Sequence, residues 1–297
     1  MKKVVSLLLV LVLLCPALAF ASQAAVAVTD MMGRAITLDA PAKRVVALDA
    51  ADCEILYALG AGDTLVGRGE YCDYPQEVVA VPSVQSGYEM NLEQIIALEP
   101  EVILMSIMAQ STAQVEALEK AGIKVVTVNA QDVSGVYQAI ELIAALTGKA
   151  DAGAALVADM QAQFAALEAQ AKDIAGKTVY FEVSPLQYGL WTAGKNTFMD
   201  EIAQLLGLKN CFADVDGWAA ISEEQVIERN PDYIVTISMY YGEGPTPAEE
   251  ILARAGWDTI TAVKENRVLN LQNNELTRPS PRLTLGAKAL LEFAEGK

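Results

Sequence analysis

The chain has 297 residues, 53% of them hydrophobic, and its 38 acidic against 21 basic residues give a formal charge of −17. This length suits one large domain or two lobes of ordinary size. The acidity argues against nucleic acid and anionic membranes as partners, since both attract basic surfaces. The sequence contains no histidine, which excludes a Ser-His-Asp triad, a His-ligated zinc or copper site and a histidine general base.

The first 21 residues are typical of a secretory signal peptide. Lys2 and Lys3 form the basic start, residues 4–15 are apolar, and a small-x-small site for cleavage ends at Ala21. We therefore expect an exported protein, located in the periplasm or at the cell surface. Its mature form loses two basic residues and is more acidic than the full chain.

Two other interpretations of this segment are disfavoured. A transmembrane helix needs about 20 apolar residues, and Pro16 interrupts the run too early. A lipoprotein would be acylated at Cys15, but Leu13 and Leu14 occupy positions where small residues are expected.

Three cysteines remain in the mature chain. Cys53 and Cys72 each follow a strand-like run and are the best candidates for a disulfide, which export would permit. Cys211 would then be unpaired. Three buried free thiols are an equally good alternative, because spacing alone gives no geometry.

The mature chain alternates strand-like and helix-like segments, the pattern of an α/β protein. We expect residues 22–147 to form an N-terminal α/β lobe, with strands at 44–48, 64–67, 102–106 and 124–128 and helices at 52–59, 91–98, 110–121 and 136–146.

Residues 149–174 are rich in Ala, Gln, Leu, Met and Glu, contain no proline, and are bracketed by Gly148 and Gly176. Such residues favour a helix, and about 25 of them would span roughly 38 Å. We predict that residues 148–176 form a linker helix, whose length favours a rigid spacer over an ordinary surface helix.

The alternation then starts again. We expect residues 177–297 to form a C-terminal α/β lobe, with strands at 178–183, 233–237 and 267–271 and helices at 197–206, 222–229, 247–255 and 282–294.

Two segments of the first half match segments of the second half without gaps. Residues 93–104 align with 224–235, and residues 54–60 align with 201–207, in the same order on either side of the predicted linker. A duplicated lobe explains two such matches better than chance does. Two similar lobes joined by a spacer leave a cleft between them, a common place for a ligand.

The duplication gives each lobe one glutamate at the same helical position. Asn91 and Ser222 are predicted N-caps, so Glu93 and Glu224 each become the second residue of a helix. Acidic residues in a first turn complement the helix dipole by about 0.3–1 kcal/mol, which is a sufficient explanation. The alternative is a matched pair of carboxylates for a two-fold partner.

Several motifs, in order along nearly the whole mature chain, resemble those of the class III binding proteins of ABC importers. They are Val28-Thr29-Asp30, Gly33-Arg34, Pro41-x-x-Arg44-Val45-Val46, Glu54-x-x-x-Ala58-Leu59-Gly60, Asp73-Tyr74-Pro75, Leu92-Glu93-x-Ile95-x-x-Leu98-x-Pro100, Gly217-Trp218-x-x-Ile221-Ser222 and Arg278-Pro279-x-Pro281-Arg282.

This resemblance implies delivery of ferric siderophores, haem or cobalamin to a membrane permease, by two lobes joined by one long helix with limited hinge motion. It also implies that Glu93 and Glu224 engage arginines of the permease. Trp218 matches a position that stacks on the ligand in cobalamin-binding relatives.

The candidate residues for ligand contact follow predicted strands or lie in loops. Their aromatic rings and methionine side chains suit a large chelate that is flat or apolar. Burial within its own lobe is the alternative for each one. The candidates are Tyr71, Tyr74, Met105, Met108, Trp191, Trp218 and Tyr240.

Arg278 and Arg282 bracket a stiff turn, Pro279-Ser280-Pro281. Guanidinium groups there could bind an anionic siderophore, or form salt bridges within an acidic protein.

These observations favour an extracytoplasmic protein that captures an iron(III) chelate and delivers it to an ABC permease, with no catalysis and no cofactor of its own. Cobalamin or another corrinoid is the alternative ligand. A chelatase-like enzyme on a related fold is the alternative from another class, and the lack of histidine disfavours it. We expect a monomer that binds a small metal chelate and no nucleic acid.

Overall fold

The computed structural model describes residues 25–107, 111–171 and 174–297. The predicted signal peptide, Cys15 and Met108 lie outside these ranges. Within them, no helix combines the length and the hydropathy that a bilayer crossing needs.

The described part of the chain begins with a hairpin that the sequence did not predict. Strands β1 (Val26–Thr29) and β2 (Ala35–Leu38) pair antiparallel. Asp30 closes the turn between them, because its carboxylate accepts hydrogen bonds from the Arg34 backbone and guanidinium at 2.8 Å. The Arg34 guanidinium also donates to Thr127 Oγ1 at 2.6 Å, which attaches the hairpin to the N-terminal lobe.

The N-terminal lobe is built on a five-stranded parallel sheet with the strand order β5-β4-β3-β6-β7. In chain order its elements are β3 (Val45–Ala47), α1 (Ala50–Ala58), β4 (Leu65–Gly69), β5 (Ser83–Val84), α2 (Leu92–Ala97), β6 (Val102–Met105), α3 (Thr112–Lys120), β7 (Lys124–Thr127) and α4 (Val133–Thr147).

Short polar side chains begin the helices of this lobe. Asp49, Asn91, Ser111 and Asp132 are the N-caps of α1, α2, α3 and α4, and each accepts a hydrogen bond from a backbone N–H of the first turn. Such caps satisfy N–H groups that have no partner inside the helix. The helices therefore begin close to the residues that the sequence indicated.

The lobes are joined by helix α5 (Ala150–Gln170), which has 21 residues and is shorter than the predicted linker. Its buried residues recur three and four positions apart and form one stripe, at Gly153, Val157, Met160, Phe164 and Leu167. The stripe packs against α4 of the N-terminal lobe and against helices of the C-terminal lobe. The spacer is therefore held by both lobes.

The C-terminal lobe is built on a six-stranded mixed sheet. Its main path is β11-β9-β8-β12-β13, with β10 beside the start of β8, and β9 pairs antiparallel with both neighbours. Its elements are β8 (Thr178–Ser184), β9 (Trp191–Ala193), α6 (Phe198–Leu205), β10 (Lys209–Asn210), β11 (Trp218–Ala220), α7 (Glu223–Arg229), β12 (Tyr233–Thr236), α8 (Pro247–Leu252), α9 (Thr261–Lys264), β13 (Val268–Asn270) and α10 (Leu283–Ala294).

The predicted fold class is confirmed: two α/β lobes are joined by one long helix. The first matched segments form α2 with β6 and α7 with β12, which are corresponding helix–strand units of the two sheets. The lobe boundaries at 22–147, 148–176 and 177–297 stay a prediction.

One hydrophobic cluster runs through both lobes. It includes Ile55 and Ile140 of the N-terminal lobe, Met160 and Phe164 of α5, and Leu290 of α10, all at most 3% exposed. Two smaller clusters fill the remaining faces of the two sheets. The lobes thus share a core, and α5 is part of it.

The close contact between α4 and α5 depends on Gly153. A Cβ atom placed on Gly153 would lie 2.6 Å from the Cβ of Ala144, nearer than such atoms approach. We expect Gly153→Leu to lower the free energy of unfolding by about 1–3 kcal/mol through overpacking, measured by urea denaturation. Ala154→Leu, on the exposed face of the same helix, is the matched control. Equal stability of the two variants would contradict a tight α4–α5 contact.

Candidate functional site

A cavity of about 640 Å³ lies between the two lobes. Its size is within the range of sites that bind small molecules and cofactors. Both lobes contribute to its walls, which are formed by Asp49, Ala51, Asp52, Ser106, Val128, Asn129, Ala130, Gln131, Val183, Ser184, Trp191, Phe198, Met199, Trp218, Ile237, Thr277 and Pro279.

The walls are built where strands of the two sheets end. In the N-terminal lobe, Ser106 and Val128 directly follow β6 and β7, and Asp49 comes two residues after the end of β3. In the C-terminal lobe, Ser184 ends β8 and Ile237 follows β12. Ligands of open α/β sheets commonly bind outside the carboxyl ends of the strands. The cavity is thus the predicted cleft between the lobes.

Trp218 lies in the wall of this cavity and bridges the lobes. Its indole N–H donates to the side-chain oxygen of Gln131 in the N-terminal lobe at 2.9 Å. Its ring lies 5.3 Å from that of Phe198, with an angle of 58° between the planes. Trp191, which is 43% exposed, lies in the same wall. The structure therefore brings these two predicted residues together, and their contact with a ligand stays a prediction.

Asp49 and Asp52, which no sequence motif indicated, lie in the cavity wall at the start of α1. Asp52 is 1% exposed. Burial, the neighbouring Asp49 carboxylate and the Cys72 thiol raise its pKa well above the ordinary value. No lysine or arginine is among the described residues that line the cavity. Asp49 and Asp52 are therefore the acidic residues among the described residues of the wall, and the raised pKa of Asp52 favours its neutral form.

Arg278 and Arg282 do not line this cavity, so the geometry does not support their predicted contact with the ligand. Both guanidinium groups bind the buried carboxylate of Glu54 in α1, at 2.9 and 3.0 Å, and Ser280 Oγ donates to it at 2.5 Å. Arg278 also binds Asp73 at 2.6 Å. Because acidic partners from the N-terminal lobe already neutralise these arginines, they connect the lobes instead of presenting charge to the cleft.

Tyr71 and Tyr74 lie outside the cavity, so their predicted ligand contact is not supported by the geometry. The Tyr71 side chain is 73% exposed, and its backbone carbonyl accepts a hydrogen bond from Arg278. The Arg282 guanidinium lies 3.9 Å from the centre of the Tyr74 ring, a cation–π contact. Both tyrosines therefore belong to the surroundings of the arginine cluster.

Met105 does not line the cavity, so the geometry does not support its predicted contact with the ligand. Its side chain is completely buried in the hydrophobic core between the sheet and helices α2 and α3, so a ligand cannot reach it. Strand residues alternate between the two faces of a sheet, and the sequence did not reveal which face Met105 occupies.

Tyr240 lies in a second cavity, of about 630 Å³, in the C-terminal lobe together with Met239 and Tyr241. Its hydroxyl donates to the carbonyl of Gly244 at 3.2 Å. It is therefore separate from the residues that line the cavity between the lobes.

Cys53 and Cys72 are free and buried in the structure, which agrees with the alternative of unpaired thiols and not with a disulfide. The two are nevertheless neighbours, because both thiols point at the carbonyl of Ala47, at 3.8 and 3.9 Å. The hydrogen bond with Cys72, followed by burial, raises the pKa of Cys53 far above the ordinary value. Cys211 is also free, and burial raises its pKa to about 12.

Glu93 and Glu224 are exposed at the second positions of α2 and α7, as the duplication indicated. Asn91 and Ser222 cap these helices by accepting a hydrogen bond from the N–H of the third helical residue in each. A hydrogen bond with Ser222 lowers the pKa of Glu224. Both glutamates therefore present exposed carboxylates at matched positions of the surface.

Among the described residues, no group of three or more cysteine, aspartate or glutamate side chains could hold a metal ion.

The sequence of the chain matches the profile of the periplasmic binding protein family over residues 45–275. This is well over half of the chain.

The chain belongs to the periplasmic binding protein family.

Individual relatives agree with this membership. An uncharacterised ABC transporter substrate-binding lipoprotein of Bacillus subtilis is 36% identical over 90% of this chain and 84% of its own length. The vitamin B12-binding protein of Salmonella choleraesuis is 31% identical over 84% of this chain and 89% of its own length. The crystal structure of a possible iron-binding periplasmic solute-binding protein from Staphylococcus epidermidis superposes with a TM-score of 0.73 at 31% identity, over 85% of this chain and 98% of that one.

The family establishes the broad role that the motifs indicated. The protein is an exported substrate-binding protein of an ABC importer, and its partners are a membrane permease and a small ligand. The Bacillus relative is named a lipoprotein. The expectation that Cys15 carries no lipid is thus without support, and Cys15 itself lies outside the described residues.

The cluster around Glu54 connects the lobes, so its loss should destabilise the whole chain. We expect Glu54→Gln to lower the free energy of unfolding by about 3 kcal/mol, because two largely buried guanidinium groups lose their shared carboxylate. The measurement is urea denaturation at pH 7. Glu292→Gln, which breaks an exposed pair with Lys288 at 3.7 Å, should change stability by about 0.5 kcal/mol or less. Unchanged stability of Glu54→Gln would contradict a connecting role.

Proposed function

We propose that this substrate-binding protein captures a corrinoid, such as cobalamin, in the cavity between its lobes and delivers it to the permease. The observation that carries the proposal is the charge of the cavity wall: the Asp49 carboxylate and no basic side chain among the described lining residues. The sequence alone favoured an anionic iron chelate over a corrinoid, because of two arginines. The cavity wall reverses this preference.

Charge argues against anionic chelates. Ferric catecholates and the propionates of haem carry negative charge, which the Asp49 carboxylate would repel at short range in a partly buried site, whereas the raised pKa of Asp52 favours its neutral form. The arginines that could have compensated are bound to Glu54 and Asp73. A corrinoid carries uncharged amides around its ring and no such excess of negative charge.

The apolar part of the cavity fits the same class of ligand. Trp191, Trp218 and Phe198 supply large aromatic surfaces, and Val128 and Ile237 extend the apolar wall. Aromatic side chains bind extended ring systems through large contact areas with little loss of conformational entropy. The similarity to the vitamin B12-binding protein of Salmonella choleraesuis also supports this proposal.

A ferric trihydroxamate is the second candidate. Such a chelate has no excess of negative charge, so the acidic cavity does not repel it. The similarity to a possible iron-binding protein from Staphylococcus epidermidis favours it.

We propose that the protein works as a monomer and breaks no covalent bond. Binding between the lobes is followed by docking of Glu93 and Glu224 against basic residues of the permease. Each glutamate is exposed at the start of a helix in a different lobe. One permease could therefore contact both lobes at once.

A titration panel tests the ligand. We expect the purified mature protein to bind cyanocobalamin by isothermal titration calorimetry, and to bind haem and ferric enterobactin much more weakly. The ligand should quench tryptophan fluorescence, and Trp218→Phe should remove most of that signal because Trp218 is in the cavity wall. Trp191→Phe is the comparison within the same wall. Preferential binding of haem or the catecholate would overturn the proposed charge selection.

Reversal of charge tests the docking glutamates. We expect Glu93→Lys combined with Glu224→Lys to abolish ligand uptake in cells while the affinity of the purified protein stays unchanged, because both residues lie on α2 and α7, outside the cavity. Glu141→Lys combined with Glu168→Lys, two exposed glutamates of α4 and α5, is the charge-matched control and should transport normally. Loss of affinity in the first pair, or equal loss of uptake in both pairs, would contradict docking.

A further inference from the structure

Gln131 makes three hydrogen bonds in the wall of the cavity between the lobes, and two of them reach the opposite lobe. Its side-chain oxygen accepts the indole N–H of Trp218 at 2.9 Å. Its side-chain nitrogen donates to Asn129 Oδ1 at 3.0 Å, and its backbone carbonyl accepts the N–H of Phe198 at 2.8 Å. All four residues line the cavity. Gln131 therefore connects two aromatic residues of the C-terminal lobe to the N-terminal lobe.

The chemistry of these groups fixes the orientation of the Gln131 amide. An indole N–H donates hydrogen bonds and accepts none, so it must meet the amide oxygen and not the amide nitrogen. The nitrogen is then directed at the Asn129 oxygen, which accepts from it. A reversed amide would place two donors against each other at Trp218. The Gln131 side chain thus has one favourable orientation.

The backbone that carries this side chain is held as well. Gln131 directly precedes Asp132, the N-cap of α4, whose carboxylate accepts the N–H of Gly135 at 2.6 Å. The hydrogen bond from Phe198 holds the Gln131 carbonyl from the other lobe. The acceptor offered to Trp218 is therefore at a fixed place.

The Trp218 ring is restrained at two points. Gln131 holds its N–H, and the Phe198 ring lies 5.3 Å from it at an angle of 58°. Because Gln131 occupies the N–H, the half-buried ring offers the cavity a surface of aromatic carbon. Ordering a side chain during binding lowers affinity, and a ring that is ordered beforehand avoids this loss.

We propose that Gln131 is a positioning residue, which orients the Trp218 ring in the cavity wall before the ligand arrives. This inference rests on the proposed function, because it requires the ligand to contact Trp218. Gln131 itself acts through the ring and needs no contact with the ligand.

Two substitutions separate the acceptor from the rest of the side chain. Gln131→Met keeps the length of the side chain and the backbone bond to Phe198 but removes the acceptor, whereas Gln131→Glu keeps an acceptor. We expect Gln131→Met to bind cyanocobalamin about three- to tenfold more weakly by calorimetry, and Gln131→Glu to stay within about twofold of the native protein. Gln163→Met, at an exposed glutamine of α5 outside the cavity, is the matched control and should keep the native affinity.

Nuclear magnetic resonance of the free protein reports on the ring directly. The chain has three tryptophans, so nitrogen-labelled protein gives three indole N–H resonances, and the one that Trp218→Phe lacks belongs to Trp218. We expect Gln131→Met to shift this resonance and to speed the exchange of its proton with water, and Gln131→Glu to keep the exchange slow. An unchanged resonance in Gln131→Met would overturn the proposal whatever the ligand is.

A double-mutant cycle separates positioning from a general loosening of the lobes. If Gln131 acts through the Trp218 ring, Gln131→Met should weaken binding of cyanocobalamin in the native protein and have no further effect in Trp218→Phe, which has no indole N–H to hold. Effects of the two substitutions that multiply in full would show that Gln131 acts independently of Trp218, and would overturn the positioning role.

The outcomes also separate this inference from the proposed function. If the native protein and Gln131→Met bind cyanocobalamin equally well, the role of Gln131 is overturned and the corrinoid proposal stands. If the native protein binds ferrioxamine B and not cyanocobalamin, the corrinoid proposal is overturned, and the same variants titrated with ferrioxamine B decide the role of Gln131. Binding of neither overturns both.

Discussion

The carboxylate of Glu54 lies on the first helix of the N-terminal lobe, yet its side-chain partners Arg278, Ser280 and Arg282 all come from the C-terminal lobe. Burial makes these bonds strong and also makes each group costly to leave unpaired. The separation of the lobes is therefore fixed beside the ligand cavity. The cluster also removes two positive charges from the cleft, so the same contact that connects the lobes leaves the cavity acidic.

The duplicated lobes use corresponding positions for this purpose. Glu201, which aligns with Glu54 in the internal repeat, accepts a hydrogen bond from the backbone N–H of Val133 at 2.7 Å, across to the start of α4. Phe198, at the start of the same helix, donates its N–H to the Gln131 carbonyl at 2.8 Å. In each lobe, a glutamate on the corresponding helix of the internal repeat therefore binds a group of the other lobe. The two contacts differ in strength, because one engages guanidinium groups and the other a backbone N–H.

Local signals in the sequence predicted most helices to within a few residues, because caps such as Ser222 and glycine stops act over one helical turn. They also predicted β3, β4, β6, β7, β8, β12 and β13, but missed the short strands β5, β9, β10 and β11. The short β1–β2 hairpin was missed, since four-residue strands carry little periodicity. The site was predicted less well. Arg278 meets Glu54 across 224 positions of the chain, and no local pattern contains that contact. For the same reason the burial of Asp52 in the cavity wall could not be recognised before its surroundings were known.

The spacer helix α5 has a mechanical consequence. Met160 and Phe164 belong to a core that continues into both lobes, so a wide opening of the cleft would expose apolar surface and break the Glu54 cluster together. A permease that pulled the lobes far apart would have to perform work comparable with the free energy of unfolding of a domain, about 5–15 kcal/mol. Ligand transfer needs less work if the permease displaces only the residues at the rim of the cavity. Breaking the hydrogen bond between Trp218 and Gln131 there requires little free energy. Because α5 holds the two lobes together, we expect the side chains at the cavity rim to move when the ligand is released.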